Sequence, residues 1–272
     1  MSDRTRTKRS LSQNFLIDPN LQRKVVAELA AEPDDLVLEV GPGHGELGQH
    51  LVDRVRALLL VEKDRDLAAA LEDRWGARPD VEVVESDALD ADLPALIRGR
   101  IPYRVISNVP YNITSPLMFA ILDLDPPPVR IVVTVQKEVA QRMVAAPGSR
   151  TYGALSVGVQ VRADATLAFP IRRGSFRPVP DVDSAVVRIE PDPLRLQGAK
   201  VKAVRRLTRT LFGQRRKQLQ KILRTSPEYR LEPTEIDAVC ARLRLDPRAR
   251  PERLSPTDFV ELAPILESLR RR

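Results

Sequence analysis

Across residues 33–190, short apolar runs alternate with longer stretches whose apolar positions recur at helical spacing. The runs at 36–40, 57–61, 81–84, 103–107 and 129–135 are rich in Val, Ile and Leu and mostly apolar on both faces, the mark of buried parallel strands. The stretches between them have helix length, so the pattern is that of βαβ units in a doubly wound sheet. Residues 183–190 (DSAVVRIE) predict a further strand, antiparallel and near an edge. Asp18-Pro19, Ser115-Pro116 and Ser255-Pro256 each put a capping oxygen ahead of a proline suited to the first helical position, so a helix is expected to begin at each. The stretch 155–161 resists the pattern. There Leu155, Val157, Val159 and Val161 alternate with Ser156, Gly158 and Gln160, a period that favours a strand.

The character of the chain changes at Pro191-Asp192-Pro193, where neither proline can continue a helix or a central strand. Residues 194–227 carry eleven Lys and Arg and no acid. Val201, Val204, Leu207, Leu211, Leu219 and Ile222 are interleaved at helical spacing, so one face can be core while the other is basic. Two more amphipathic helices are expected at 235–243 and 256–269. The division expected is an α/β domain over 1–192 and a small all-α domain over 193–272.

Composition narrows the class. With 272 residues there is room for one large domain, or a medium and a small one. Apolar residues at 43% and charged residues at 30% exclude disorder throughout. No run approaches the roughly 18 apolar residues of a membrane span, so no membrane partner is expected. Cys240 stands alone, which excludes an intrachain disulfide, and His44 and His50 are too few to build a zinc site with it. No metal is expected. Arg4, Arg6, Lys8 and Arg9 open the chain without an apolar segment behind them, so an intracellular, cytoplasmic protein is expected. The net charge of +7 is weak evidence for nucleic acid by itself; the concentration of that charge beyond residue 194 says more.

Three motifs carry chemistry. The first is EVGPGHG from Glu39, leaving a strand and opening a helix, where the glycines permit a tight turn and close approach of a ligand. Read from Gly41 the dinucleotide fingerprint fails at Glu46, and read from Gly43 it fits, though one such match is weak. Glu39 and Glu46 frame the loop, which disfavours phosphate and favours a ligand of positive charge; the bland alternative is an ordinary strand-to-helix turn. The second comprises the acids closing the next two strands. Glu62 can accept from both ribose hydroxyls and Asp87 from an adenine amino group, against the alternatives of a solvated carboxylate and a turn cap. The third is Asn108-Val-Pro110-Tyr111. A purine amine is a poor nucleophile because its lone pair is delocalised. The Asn108 side-chain carbonyl and the Pro110 backbone carbonyl, accepting its hydrogens, would favour the pyramidal nitrogen and stabilise developing charge. Tyr111 offers a ring on which a flipped base can stack. The alternative is a plain Asn-x-Pro turn.

These residues carry a resemblance. The chain resembles the KsgA family of ribosomal RNA adenine dimethyltransferases in SQNFLID from Ser12, EVGPGHGEL from Glu39, NVPYNITSPL from Asn108 and VQKEVAQRMVA from Val135. It continues with TYGALSV from Thr151, FRPVPDVDSAVV from Phe176, LFGQRRKQL from Leu211 and RPERLSPTDFVEL from Arg250. Relatives more often carry other residues at His44, Gly48 and Val109, none of which is a proposed ligand. The resemblance implies a class I S-adenosylmethionine-dependent methyltransferase, a Rossmann-like doubly wound α/β sheet with a small all-α C-terminal domain. It implies cofactor binding by Asn14, Leu16, Gly41, Glu62, Asp87 and Asn108, and a catalytic set of Asn108, Pro110, Tyr111 and Phe176, with Phe176 covering the far face of the target adenine. It also implies a helix over 152–164, against the period-two reading.

The implied reaction is N6,N6-dimethylation of two adjacent adenosines near the 3′ end of small-subunit rRNA, within an assembling 30S subunit, by a monomer. The basic stretch after the linker would grip phosphates, the alternative being a solvated helix face. Two rivals stand beside this reading. One is a large-subunit rRNA adenine methyltransferase of the antibiotic-resistance type, against which the FRPVPDVDSAVV segment and the long basic region argue. The other is a ribosome-assembly factor without catalysis, against which Asn108, Pro110, Tyr111, Glu62 and Asp87 argue.

Overall fold

The computed structural model describes residues 14–195 and 198–270; Ser12, Gln13 and the basic residues ahead of them lie outside the described residues. The described residues up to Ala140, together with Ala165–Pro191, form one compact unit, and Gln141–Asp164 with the residues from Asp192 onward form a second. The break at Pro191 falls beside the expected linker, whereas residues 141–164 cluster with the C-terminal helices instead of the α/β domain to which a single linear boundary assigns them.

The first unit is organised around a seven-stranded sheet of order β4-β3-β2-β5-β6-β9-β7. Its strands are β2 (Leu36–Val40), β3 (Ala57–Glu62), β4 (Val81–Glu85), β5 (Tyr103–Asn108), β6 (Arg130–Gln136), β7 (Ala163–Ile171) and β9 (Ser184–Pro191). The pairs β2–β3, β3–β4, β2–β5 and β5–β6 are parallel, and β9 runs antiparallel to β6 with Gln136 opposite Ser184. Every residue of β2 is buried, Glu39 included, as its mostly apolar run predicts. A separate two-stranded ribbon joins β1 (Phe15–Leu16) to β8 (Phe176–Arg177).

Helices α1 (Pro19–Leu29), α2 (Arg65–Trp75), α3 (Leu93–Ile97), α4 (Thr114–Leu122) and α5 (Lys137–Met143) link or follow the strands. Asp18 caps α1 as expected, its Oδ1 accepting from Asn20 N at 2.8 Å. At Ser115-Pro116 the expectation is off by two residues: α4 begins at Thr114, because the 3₁₀ turn Tyr111–Ile113 runs straight into it. The glycine turn likewise opens only the 3₁₀ helix Gly48–His50 where a helix was expected.

The second unit holds α6 (Ala154–Gln160), α7 (Ala199–Phe212), α8 (Leu219–Thr225), α9 (Pro233–Leu243) and α10 (Pro256–Leu269). Helix α6 corrects the period-two reading, and the physical reason lies in its polar residues. Ser156 Oγ accepts from Gly153 N at 3.0 Å, and Gln160 Nε2 donates to the carbonyls of Met143 and Ala145, both at 2.9 Å. These side chains serve a local hydrogen-bond network and do not line the wet face of a strand. The helix ends at Gln160, four residues short of the expected 164, and Ala163 already begins β7. On α7 and α8 the apolar stripe from Val201 to Ile222 is buried, packed with Phe259, Leu262 and Leu266 of α10. Ser255 and Asp258 cap α10 reciprocally, at 3.1 and 2.7 Å. Among the described residues no helix is long and apolar enough to cross a membrane.

Candidate active site

The strand order turns back on itself between β2 and β5, and open α/β sheets bind ligands at the carboxyl ends of the strands flanking such a point. There the chain places Gly41 just beyond β2, Glu62 at the end of β3, Asp87 just beyond β4 and Asn108 at the end of β5. Two adjoining cavities open at this edge. Gly41, Glu62, Asp87, Lys63, Ser86 and Pro110 help line one; Asn14, Phe15, Gly41, Glu62, Asn108 and Tyr111 help line the other.

The glycine turn is held from both sides. Gly43 N donates to Glu62 Oε2 at 3.0 Å, and Asp64 N donates to Glu62 Oε1 at 2.8 Å, so the carboxylate bridges the turn to the start of α2. One lone pair on each oxygen remains for a ligand facing the cavity. Gly45, at φ +83°, is packed so closely that a Cβ there would stand 2.5 Å from the Trp75 ring. Gly41 differs: at φ +66° the position of its Cβ has no atom within 4 Å, and this open space is where a ligand can lie against the backbone.

Negative charge gathers behind the turn. Glu39 is buried, its Oε2 has no partner, and burial together with the nearby Glu46 and Glu62 holds its carboxyl well above the usual range. Burial also raises Glu62 and pushes Glu46 up to about 7. Burial is the largest cause of each shift, and of the three acids Glu62 is the one that lines both cavities. Asp87 is the opposite case. Lys63 Nζ at 2.6 Å and Leu89 N at 3.0 Å hold it below the usual range, so it acts as a turn cap and ion-pair partner as well as a cavity wall.

Asn108 Nδ2 donates to the Asn14 carbonyl at 2.8 Å, which orients the amide and leaves Oδ1 as its acceptor. The Pro110 carbonyl is drawn into its own turn, accepting from Ile113 N at 3.1 Å and Thr114 Oγ1 at 3.4 Å. Of the two acceptors expected to meet a substrate amine, Oδ1 of Asn108 is therefore the one that no described residue occupies. The Tyr111 hydroxyl is tied to Ser184 Oγ at 2.8 Å, which fixes the ring at the cavity wall.

Two expected site residues have buried side chains. Leu16 is 1% exposed, with its side chain in the core and its carbonyl accepting from Gln22 Nε2 at 2.6 Å; its neighbour Phe15 lines the cavity instead. Phe176 is 0% exposed and packs in the same core cluster as Leu16. Phe15, Lys63 and Ser86 were not singled out from sequence. Lys63 alone carried a signal, as the residue following the acid that ends β3.

Residues 4–266 match the family described as "Ribosomal RNA adenine dimethylase". The chain belongs to the ribosomal RNA adenine dimethylase family. It is 42% identical over 261 residues to the ribosomal RNA small subunit methyltransferase A of Nitratidesulfovibrio vulgaris (strain Hildenborough), covering 94% of this chain and 95% of that one. A dimethyladenosine transferase from Plasmodium falciparum shares the fold with a TM-score of 0.78 at 23% identity, over 94% of this chain and 99% of that one. The 23S rRNA methyltransferase ErmE superposes with a TM-score of 0.69 at 26% identity, over 93% and 99%. The seven-stranded sheet is that of the class I methyltransferases, and the chain is a ribosomal RNA adenine dimethyltransferase.

Proposed function

We propose that this dimethyltransferase moves methyl groups from S-adenosylmethionine to N6 of two adjacent adenosines near the 3′ end of small-subunit rRNA, as a monomer, during assembly of the 30S subunit. The observation that supports the transfer chemistry is the anchored Asn108 amide, which lines one cavity together with Tyr111. Relatives that share most of this chain's length are named as small-subunit enzymes, which favours that subunit over the large one. S-adenosylmethionine supplies an electrophilic methyl on a positively charged sulfur. Gly41 offers the bare backbone surface, Glu62 the acceptors for ribose hydroxyls, and Asp87 the wall near the adenine. Glu62 at the cavity wall and Glu46 behind the turn would, when ionised, supply negative charge for a cation.

On the substrate side, Asn108 Oδ1 accepts one amine hydrogen and so favours the pyramidal nitrogen. Tyr111 holds the flipped base by stacking. After the first methylation one N–H remains, enough for Oδ1 to act again. The product ammonium is acidic enough to pass its proton to water, so no strong base is needed. Leu16 contributes through the β1–β8 ribbon, and Asn14 through the carbonyl that orients Asn108. In the second unit Lys200, Lys202, Arg209, Arg216, Lys217, Lys221 and Arg224 are exposed, a surface suited to phosphates.

Incubation with S-adenosylmethionine and small subunits lacking the modification, then nucleoside mass spectrometry, tests the reading. It predicts dimethyladenosine at two adjacent positions near the 3′ end. Modification of large-subunit RNA instead would overturn it.

The raised acids give a pH dependence. With its pKa at about 7, Glu46 is largely protonated at pH 6 and ionised at pH 8, and a bound cation favours the ionised form. Affinity for S-adenosylmethionine should therefore rise by up to about tenfold from pH 6 to pH 8. Calorimetry should find a flatter profile for Glu46→Gln, and for S-adenosylhomocysteine, whose sulfur is neutral.

A further inference from the structure

Arg172 and Arg173 lie on the turn that leads from β7 into β8 and Arg177 ends β8, and all three are exposed. Among the described residues none forms an ion pair with a carboxylate, whereas Arg100, Arg130 and Arg188 of the same unit each do. Their nearest fixed contacts are main-chain oxygens. Arg177 donates to the Phe176 carbonyl at 2.9 Å and the Gly174 carbonyl at 3.4 Å, and Arg173 donates to the Asp181 carbonyl at 3.4 Å. The acids Asp181 and Asp183 are close, but Asp183 is engaged through the Arg173 main chain, its Oδ1 accepting from Arg173 N at 3.0 Å. The positive charge of the turn is thus oriented but not neutralised.

Two independent tethers set this turn beside the substrate cavity. Asp183, which receives Arg173 N, immediately precedes Ser184, and Ser184 Oγ holds the hydroxyl of Tyr111. On the other side Arg177 pairs with Phe15 across the β1–β8 ribbon, and Phe15 lines the cavity that Asn108 and Tyr111 share. Val179, 50% exposed, and Val182, 44% exposed, add an apolar ledge on the loop from β8 to β9.

We infer that Arg172, Arg173 and Arg177 grip the RNA phosphates flanking the flipped adenosine, giving the methyltransferase unit a backbone-binding surface separate from the basic helices. The inference rests on the RNA-modifying reading above. Guanidinium forks match phosphate oxygens in pairs, and exposed forks without carboxylate partners need no ion pair broken before binding. Contacts of this kind carry no sequence information; they hold the strand in register while the base is turned out of its stack.

The test is the Arg172→Gln/Arg173→Gln/Arg177→Gln variant of the full chain, which removes charge at exposed positions while keeping a polar side chain of similar reach. RNA affinity is measured across a salt series with a fragment spanning the 3′ end of small-subunit rRNA, beside methylation kinetics on intact subunits. The slope of log affinity against log salt should flatten by about 2, for three lost contacts to single-stranded phosphate. KM for the subunits should rise by about tenfold or more, with S-adenosylmethionine affinity and melting temperature unchanged. Slope, affinity and KM all within twofold of wild type would overturn the inference. A fall in cofactor affinity equal to the fall in RNA affinity would also overturn it, by showing a general distortion of the ribbon. Failure of wild type to methylate small subunits would refute the proposed function instead, and the wild-type control reads that separately.

Discussion

Asn108→Ala should lower kcat by about 10²- to 10³-fold, the loss usual when one preorganised polar partner of a transition state is removed. Two effects combine at this position. The substituted side chain lacks the acceptor that meets the amine hydrogen, and the Asn14 carbonyl loses the donor that it holds at 2.8 Å. Asn108→Asp separates them, since it keeps an acceptor but sets a carboxylate against the Asn14 carbonyl. It should recover less than its geometry alone suggests. Single-turnover methylation measures the chemical step, while calorimetry with S-adenosylmethionine and RNA gel shifts should show binding by Asn108→Ala within a few-fold of wild type. Methylation by that variant at a normal rate would remove Asn108 from the mechanism.

The largest effect on stability is expected at Gly45. A methyl group there would lie 2.5 Å from the ring of Trp75, which is buried beneath the turn at the end of α2. The backbone sits at φ +83°, which costs a residue bearing a Cβ about 1–2 kcal/mol. Overpacking a filled core adds about 1–3 kcal/mol. Gly45→Ala should therefore destabilise the chain by roughly 2–5 kcal/mol, a fall in melting temperature of about 5–15 °C for a protein of this size. Gly41→Ala is the control, because its Cβ would enter open space. It should melt closer to wild type yet bind S-adenosylmethionine more weakly, since that space is the ligand's. Equal melting losses in both variants would show that backbone conformation, and not the Trp75 contact, governs the turn.

The central parallel strands were legible because burial on both faces leaves a mostly apolar run, and α10 because its caps are local; β4, at the sheet edge, departs from the expected burial, with Val81 alone of its residues buried. Helix α6 and strand β7 were not, for opposite reasons. The polar residues of α6 answer carbonyls of Met143 and Ala145, more than a dozen residues back in the chain, so their spacing says nothing of solvent. Strand β7 (ADATLAFPI) does alternate, with Ala163, Ala165, Leu167, Phe169 and Ile171 on one face, but Pro170 and the small residues mask it as a strand, which the edge of a sheet tolerates. The site divides along the same line. Gly41, Glu62, Asp87 and Asn108 follow from chain order, since successive parallel strands deliver their ends to one edge. The Asn14–Asn108 and Tyr111–Ser184 contacts join residues 94 and 73 positions apart, and no periodicity announces them. At Leu16 and Phe176 the motif gives the element but not the direction of the side chain. Both belong to the right ribbon, yet the pleat turns their side chains into the core while Phe15 faces the cavity.

That ribbon has a practical side for anyone preparing the protein. Because Phe15–Leu16 is the only partner strand of Phe176–Arg177 among the described residues, the cofactor edge and the loop ahead of the arginines share one short piece of backbone. A proteolytic nick or a bulky fusion placed just ahead of Asn14 would strip or crowd that strand. Such a preparation would fail first as a reader of RNA and a binder of cofactor together, while its sheet still folded and its melting curve looked sound.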